Sequence, residues 1–110
     1  MDKTDALNVV QKYAELLSNK FEFQKIILFG SYVNGNPRKD SDIDIAIVFS
    51  DYDNRLDRQV ELMKLTRQID TRIEPHPFRE KEFDVSNPFV NEIVSYGMEV
   101  ASPVDFLKYK

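Results

Sequence analysis

Apolar residues recur every three or four positions from about Asp5 to Asn19, at Ala6, Val9, Val10, Tyr13, Leu16 and Leu17. That spacing places them on one face of a helix, with Asp2 or Thr4 as the candidate N-cap. A short apolar run over 24–29 predicts a strand that stops at Gly30. A second run over 43–49, apolar throughout its far end, predicts a strand buried on both faces. Asp51 to Asn54 reads as a polar turn, and Leu56, Val60, Met63 and Leu65 then mark a helix over Asn54 to Gln68 whose apolar face is expected in the core. A third strand is expected over Asp70 to His76, ending where Pro75 and Pro77 remove hydrogen-bond donors. Asn87 and Pro88 form a helix start, Gly97 is its stop, and Met98 to Ser102 supplies a short edge strand. The order α-β-β-α-β-α, with that last strand added, predicts an α+β fold: a small mixed sheet with helices packed mainly on one side.

Composition narrows the picture without changing it. At 110 residues and 42% apolar content, the chain suits one domain over residues 1–110 with a single core. A net charge of −4 argues against a dominant basic footprint for nucleic acid. No cysteine is present, which removes disulfides, thiolate metal sites and a cysteine nucleophile. The polar, acidic start does not read as a secretory signal, and no apolar run is long enough to span a bilayer, so a cytoplasmic location with no membrane partner is expected. Little room remains for a separate substrate-binding domain. A partner is therefore expected to complete the task, in a homo- or hetero-oligomer.

The chemistry concentrates in GSYVNGNPRKDSDIDIAI, residues 30–47. Side chains alternate across a strand, so Asp42 and Asp44 share one face while Ile43 and Ile45 point to the other. Two carboxylates about 5 Å apart repel by roughly 3 kcal/mol at an effective dielectric of about 20. A divalent cation between them reverses that sign, and hard oxygen ligands suit Mg²⁺. A solvated strand end that screens the repulsion is the competing reading. Gly30 directly after a strand allows positive φ or close backbone approach, and Ser31 can donate to a phosphate oxygen or cap a short helix starting at Tyr32. Turn and acidic pair are close enough along the chain to face one cleft. Arg38 and Lys39, in the loop between them, read either as phosphate-neutralising groups or, in preference, as a solvated turn.

The run LFGSYVNGNPRKDSDIDIAIVF, with Gly30-Ser31 followed by Asp42-Ile43-Asp44, resembles the nucleotidyltransferase superfamily of DNA polymerase beta, and its minimal nucleotidyltransferase (MNT) group in particular. The resemblance implies the polymerase-beta-like fold, with Gly30 and Ser31 holding the triphosphate of ATP or another nucleotide. It also implies Asp42 and Asp44 as Mg²⁺ ligands and a third carboxylate on a later strand, acting as metal ligand and base. Glu74, in Arg72-Ile73-Glu74-Pro75, fits that third position better than Asp70, which would stand at the strand's entrance. An edge strand carrying ordinary Arg72 ion pairs is the plainer alternative. His76, the only histidine, sits near the same face between two prolines and is read as a surface residue outside the catalytic set.

The resulting expectation is an enzyme that transfers a nucleoside monophosphate, AMP from ATP, to a hydroxyl acceptor. By resemblance, the acceptor is a tyrosine of a small helical HEPN-domain toxin, and the chain acts as the antitoxin. The alternative is a non-catalytic antitoxin that masks its partner by contact. Transfer to a small molecule such as an aminoglycoside is disfavoured, because the chain is short for an acceptor-binding domain.

Overall fold

The computed structural model describes residues 2–35, 37 and 41–101, so Arg38, Lys39 and Ser102 lie outside the described residues. Helix α1 spans Lys3–Ser18; of the two candidate caps Asp2 serves, in a reciprocal capping box with Asp5. Strand β1 (Lys25–Phe29) leads into a single-turn helix α2 (Ser31–Asn34), and β2 covers Ile43–Phe49. Helix α3 (Arg55–Thr66) is capped by Asn54, whose side chain accepts from the Asp57 amide. Strand β3 (Ile73–Arg79) and a short 3₁₀ turn at Glu80–Glu82 lead to α4 (Pro88–Tyr96), which Asn87 caps, and β4 (Met98–Ala101) follows.

The four strands form one mixed sheet in the order β3-β2-β1-β4. Strand β1 runs antiparallel to both β2 and β4, whereas β2 and β3 are parallel. The fold is the α+β arrangement that the pattern of apolar positions predicts. Strand alternation divides the core into two layers. Ile26, Leu28, Ile43, Ile45, Ile47, Phe49 and Ile73 pack with α1 and with Tyr32 and Leu62 on one face. Ile27, Ala46 and Phe78 pack with Val90 and Ile93 of α4 on the other. Helix α4 thus covers one end of the second face and leaves the opposite end, with Asp44 and Glu74, half open.

Two expectations need correction. Strand β3 does not end at the prolines but runs through them to Arg79. It is an edge strand, and the Arg72 carbonyl accepts from the Ile43 amide at 2.8 Å, so alternation turns residues 74, 76 and 78 toward β2. Pro75 and Pro77 face the open edge, where a missing donor costs nothing. Their outward carbonyls accept from Gln59 Nε2 at 2.6 Å and from the Tyr52 hydroxyl at 3.3 Å, which closes the edge to further pairing.

Helix α3 is the second correction. Of its four apolar markers only Leu65 packs against the core; Leu56 is 71% exposed, Val60 43% and Met63 40%. The buried positions are Leu62 and Thr66, flanked by residues whose polar groups have tertiary partners. Arg58 lays its guanidinium over Phe21 and Phe49 at 4.5 and 4.6 Å, and Gln59 bonds the β3 edge. The Tyr13 hydroxyl donates to the Leu62 carbonyl at 2.9 Å, and burial pushes that phenol well up from its ordinary value. Urea unfolding is expected to rank the two faces accordingly. Leu62→Ala costs about 2–5 kcal/mol, as for other buried leucines, whereas Leu56→Gln changes stability by less than about 0.5 kcal/mol.

Candidate active site

Register brings the acidic residues together. Asp44 of β2 stands opposite Phe29 of β1 on one side and opposite Glu74 of β3 on the other. Like charges directly across a strand pair repel, so this register places a local cost on the sheet. Burial first, then Asp42 and Asp44, raise the Glu74 carboxyl above its ordinary value, and His76 offsets part of this. Asp42 itself is exposed and immediately precedes β2.

Gly30 sets the other wall. Its φ of 83° and ψ of −149° lie in a region open essentially to glycine, and a Cβ there would stand 2.6 Å from Asp44 Oδ2. Only a residue without a side chain lets the backbone approach the carboxylate this closely. Ser31 is the first residue of α2 rather than its cap; Gly30 occupies the cap position and supplies no side-chain bond. The expectation that Ser31 caps a helix beginning at Tyr32 is therefore corrected by one residue.

Asp70 is engaged elsewhere. Arg72 donates from Nη2 to Asp70 Oδ2 at 2.6 Å, and from Nε and the backbone amide to Oδ1 at 3.0 and 2.9 Å. The guanidinium holds the Asp70 carboxyl below its ordinary range. His76, by contrast, is not the surface residue expected from its place between two prolines but a member of the cluster. One donor atom each from Asp44, Glu74 and His76 lies within 4.8 Å of the others, with His76 Nε2 3.3 Å from Asp44 Oδ1. The His76 ring contacts Phe29 and Phe89 at centroid distances of 5.3 and 6.2 Å. Strand alternation already placed Glu74 and His76 on one face; the flanking prolines, read as the end of the strand, concealed that it continues past the histidine.

The donor chemistry fits a divalent cation: hard carboxylate oxygens converge, and their mutual repulsion is the term a cation would reverse. Two consequences are measurable. Gly30→Ala is expected to destabilise the protein by about 1–3 kcal/mol through its backbone conformation alone, read by thermal or urea unfolding. The raised Glu74 value has a definite sign. In metal-free protein its contribution to stability is complete below the ordinary glutamate range and is lost as pH rises through the higher folded value. Glu74→Gln in chelator is therefore expected to melt above the parent chain at neutral pH, and the gain should vanish in acid.

Comparison with known proteins gives the family. The family described as "Polymerase beta, Nucleotidyltransferase" matches residues 11–103. A Methanocaldococcus jannaschii protein named "Putative protein adenylyltransferase MJ0141" is 24% identical over 101 residues, covering 87% of this chain and 99% of that protein. Among solved structures, a toxin-antitoxin with AMP-PNP shares the fold at a TM-score of 0.64 and 23% identity, covering 94% of this chain and 87% of that one. The complex of a tri-AMPylated Shewanella oneidensis HEPN toxin with its MNT antitoxin gives a TM-score of 0.60 at 24% identity, covering 97% and 78%. The family match spans most of the chain, and the chain belongs to the polymerase beta nucleotidyltransferase family.

Proposed function

We propose that this nucleotidyltransferase moves AMP from ATP onto a tyrosine hydroxyl of a HEPN-type partner protein, and so acts as the antitoxin of a pair. The observation that carries the reading is the juxtaposition of Gly30 with Asp44 and of Asp44 with Glu74. A backbone pressed against a carboxylate suits a seat in which an anionic phosphate and a carboxylate are held side by side by a cation. Support for the acceptor comes from relatives: one is named as a protein adenylyltransferase, and another structure holds an AMPylated HEPN toxin with an MNT antitoxin.

Asp42, Asp44 and Glu74 are the residues that would hold Mg²⁺, with Gly30 and Ser31 at the phosphates. When bound, the ion supplies charge neutralisation at the triphosphate and in-line stabilisation of the oxygens flanking phosphorus. Glu74, whose carboxyl burial and its acidic neighbours raise above its ordinary value, accepts the acceptor's proton. The freed oxygen bonds to the α-phosphorus, the bond from that phosphorus to the β-phosphate oxygen breaks, and pyrophosphate leaves. Asp44, held between Gly30 and β3, would hold the ion beside the phosphates.

The test is incubation of the chain with α-labelled ATP, Mg²⁺ and a HEPN-type partner protein. Label is expected on a partner tyrosine, and Asp42→Ala or Asp44→Ala should lower transfer by at least about a hundredfold. A tight complex with no transfer, unaffected by either substitution, would replace this reading with masking by contact alone.

A further inference from the structure

An imidazole in the cluster distinguishes this site from one built of carboxylates alone. Asp44, Glu74 and His76 occupy three positions of one sheet face: Asp44 is opposite Glu74, and His76 lies two residues further along β3. Their donor atoms lie within 4.8 Å of one another. The His76 ring packs against both Phe29 and Phe89, and Nε2 is the nitrogen turned to Asp44 Oδ1, at 3.3 Å. Ligand atoms bonded at about 2.1 Å in adjacent positions of an octahedral ion stand about 3 Å apart. The Nε2–Oδ1 separation matches that spacing and lies at the long end for a hydrogen bond.

We infer that His76 Nε2 is itself a metal ligand beside Asp44 and Glu74, so that the site takes a first-row ion such as Mn²⁺ in preference to Mg²⁺. The inference rests on the nucleotidyltransferase reading above and refines which ion that site holds. The chemistry is direct. Mg²⁺ favours oxygen and gains little from imidazole, whereas first-row divalent ions gain affinity from each nitrogen donor. Packing supplies the rest: ring contacts with Phe29 and Phe89 restrict the imidazole, so less side-chain freedom is lost when the ion arrives.

The measurement is direct binding of Mn²⁺ and Mg²⁺ to the nucleotide-free chain, with pulsed electron paramagnetic resonance of the Mn²⁺ form. His76 is the only histidine, so ¹⁵N-histidine labelling assigns any histidine-nitrogen coupling to it without ambiguity. The expected result is a directly bound ¹⁴N coupling that becomes ¹⁵N on labelling and is lost in His76→Gln. His76→Gln is also expected to weaken Mn²⁺ at least about tenfold, the usual range for a disturbed metal site, and Mg²⁺ by less than about twofold. Bound Mn²⁺ without nitrogen coupling in the unsubstituted chain overturns the inference, and so does equal weakening of the two ions or absence of Mn²⁺ binding. The spectrum of the unsubstituted chain does not depend on how well the variant folds. Coupling without AMP transfer would leave this inference standing and remove the function proposed above; transfer in Mg²⁺ without coupling would do the reverse.

Discussion

The parallel pairing of β2 with β3 is the constraint on which the site depends. It sets Asp44 against Glu74, two carboxylates that repel across one ladder position. The same pairing sends Ile43, Ile45 and Ile73 to the opposite face, where they join the main core. A slip of one residue would bury the acids and expose the isoleucines, so the hydrophobic layer holds the charges in place. The repulsion is tolerated because it is confined to the rim that α4 leaves uncovered. Burial nonetheless raises Glu74, as do its acidic neighbours.

Gly30 transmits that arrangement to the opposite wall. Strand β1 ends opposite Asp44, and the chain must turn at once into α2 without a side chain intervening. The turn and the carboxylate are therefore one structural unit: the backbone conformation at Gly30 and the position of Asp44 are each compatible with only a narrow range of the other. Tyr32, one residue into α2, is buried in the main core, which ties the short helix to the sheet it caps.

Strand β3 resolves a tension between pairing and solubility. An edge strand with free donors and acceptors invites further pairing, and here prolines remove the donors while Gln59 and Tyr52 occupy the acceptors. The prolines leave the inner side intact, so Glu74 and His76 stay in register with β2. Assigning Gln59 and Arg58 to the inner side of α3 turns Leu56, Val60 and Met63 to the outside.

Much of this was legible in the residues. Helix and strand positions followed from apolar spacing, and the motif that runs from Gly30 to Asp44 carried the family, because turn glycines and strand carboxylates reveal themselves by breaking the local pattern. Strand parity also put Asp44 on a different face from Ile43 and Ile45. Three matters were decided only by tertiary structure. The extent of β3 depended on its being an edge, since proline is a breaker only where its nitrogen would face a partner. The inward face of α3 depended on Arg58 and Gln59 finding partners on other elements, which hydrophobic spacing cannot register. The place of His76 depended on which residue of β2 lies across from which residue of β3. Local sequence sets what each side chain prefers; contacts between distant segments decide which of those preferences is met.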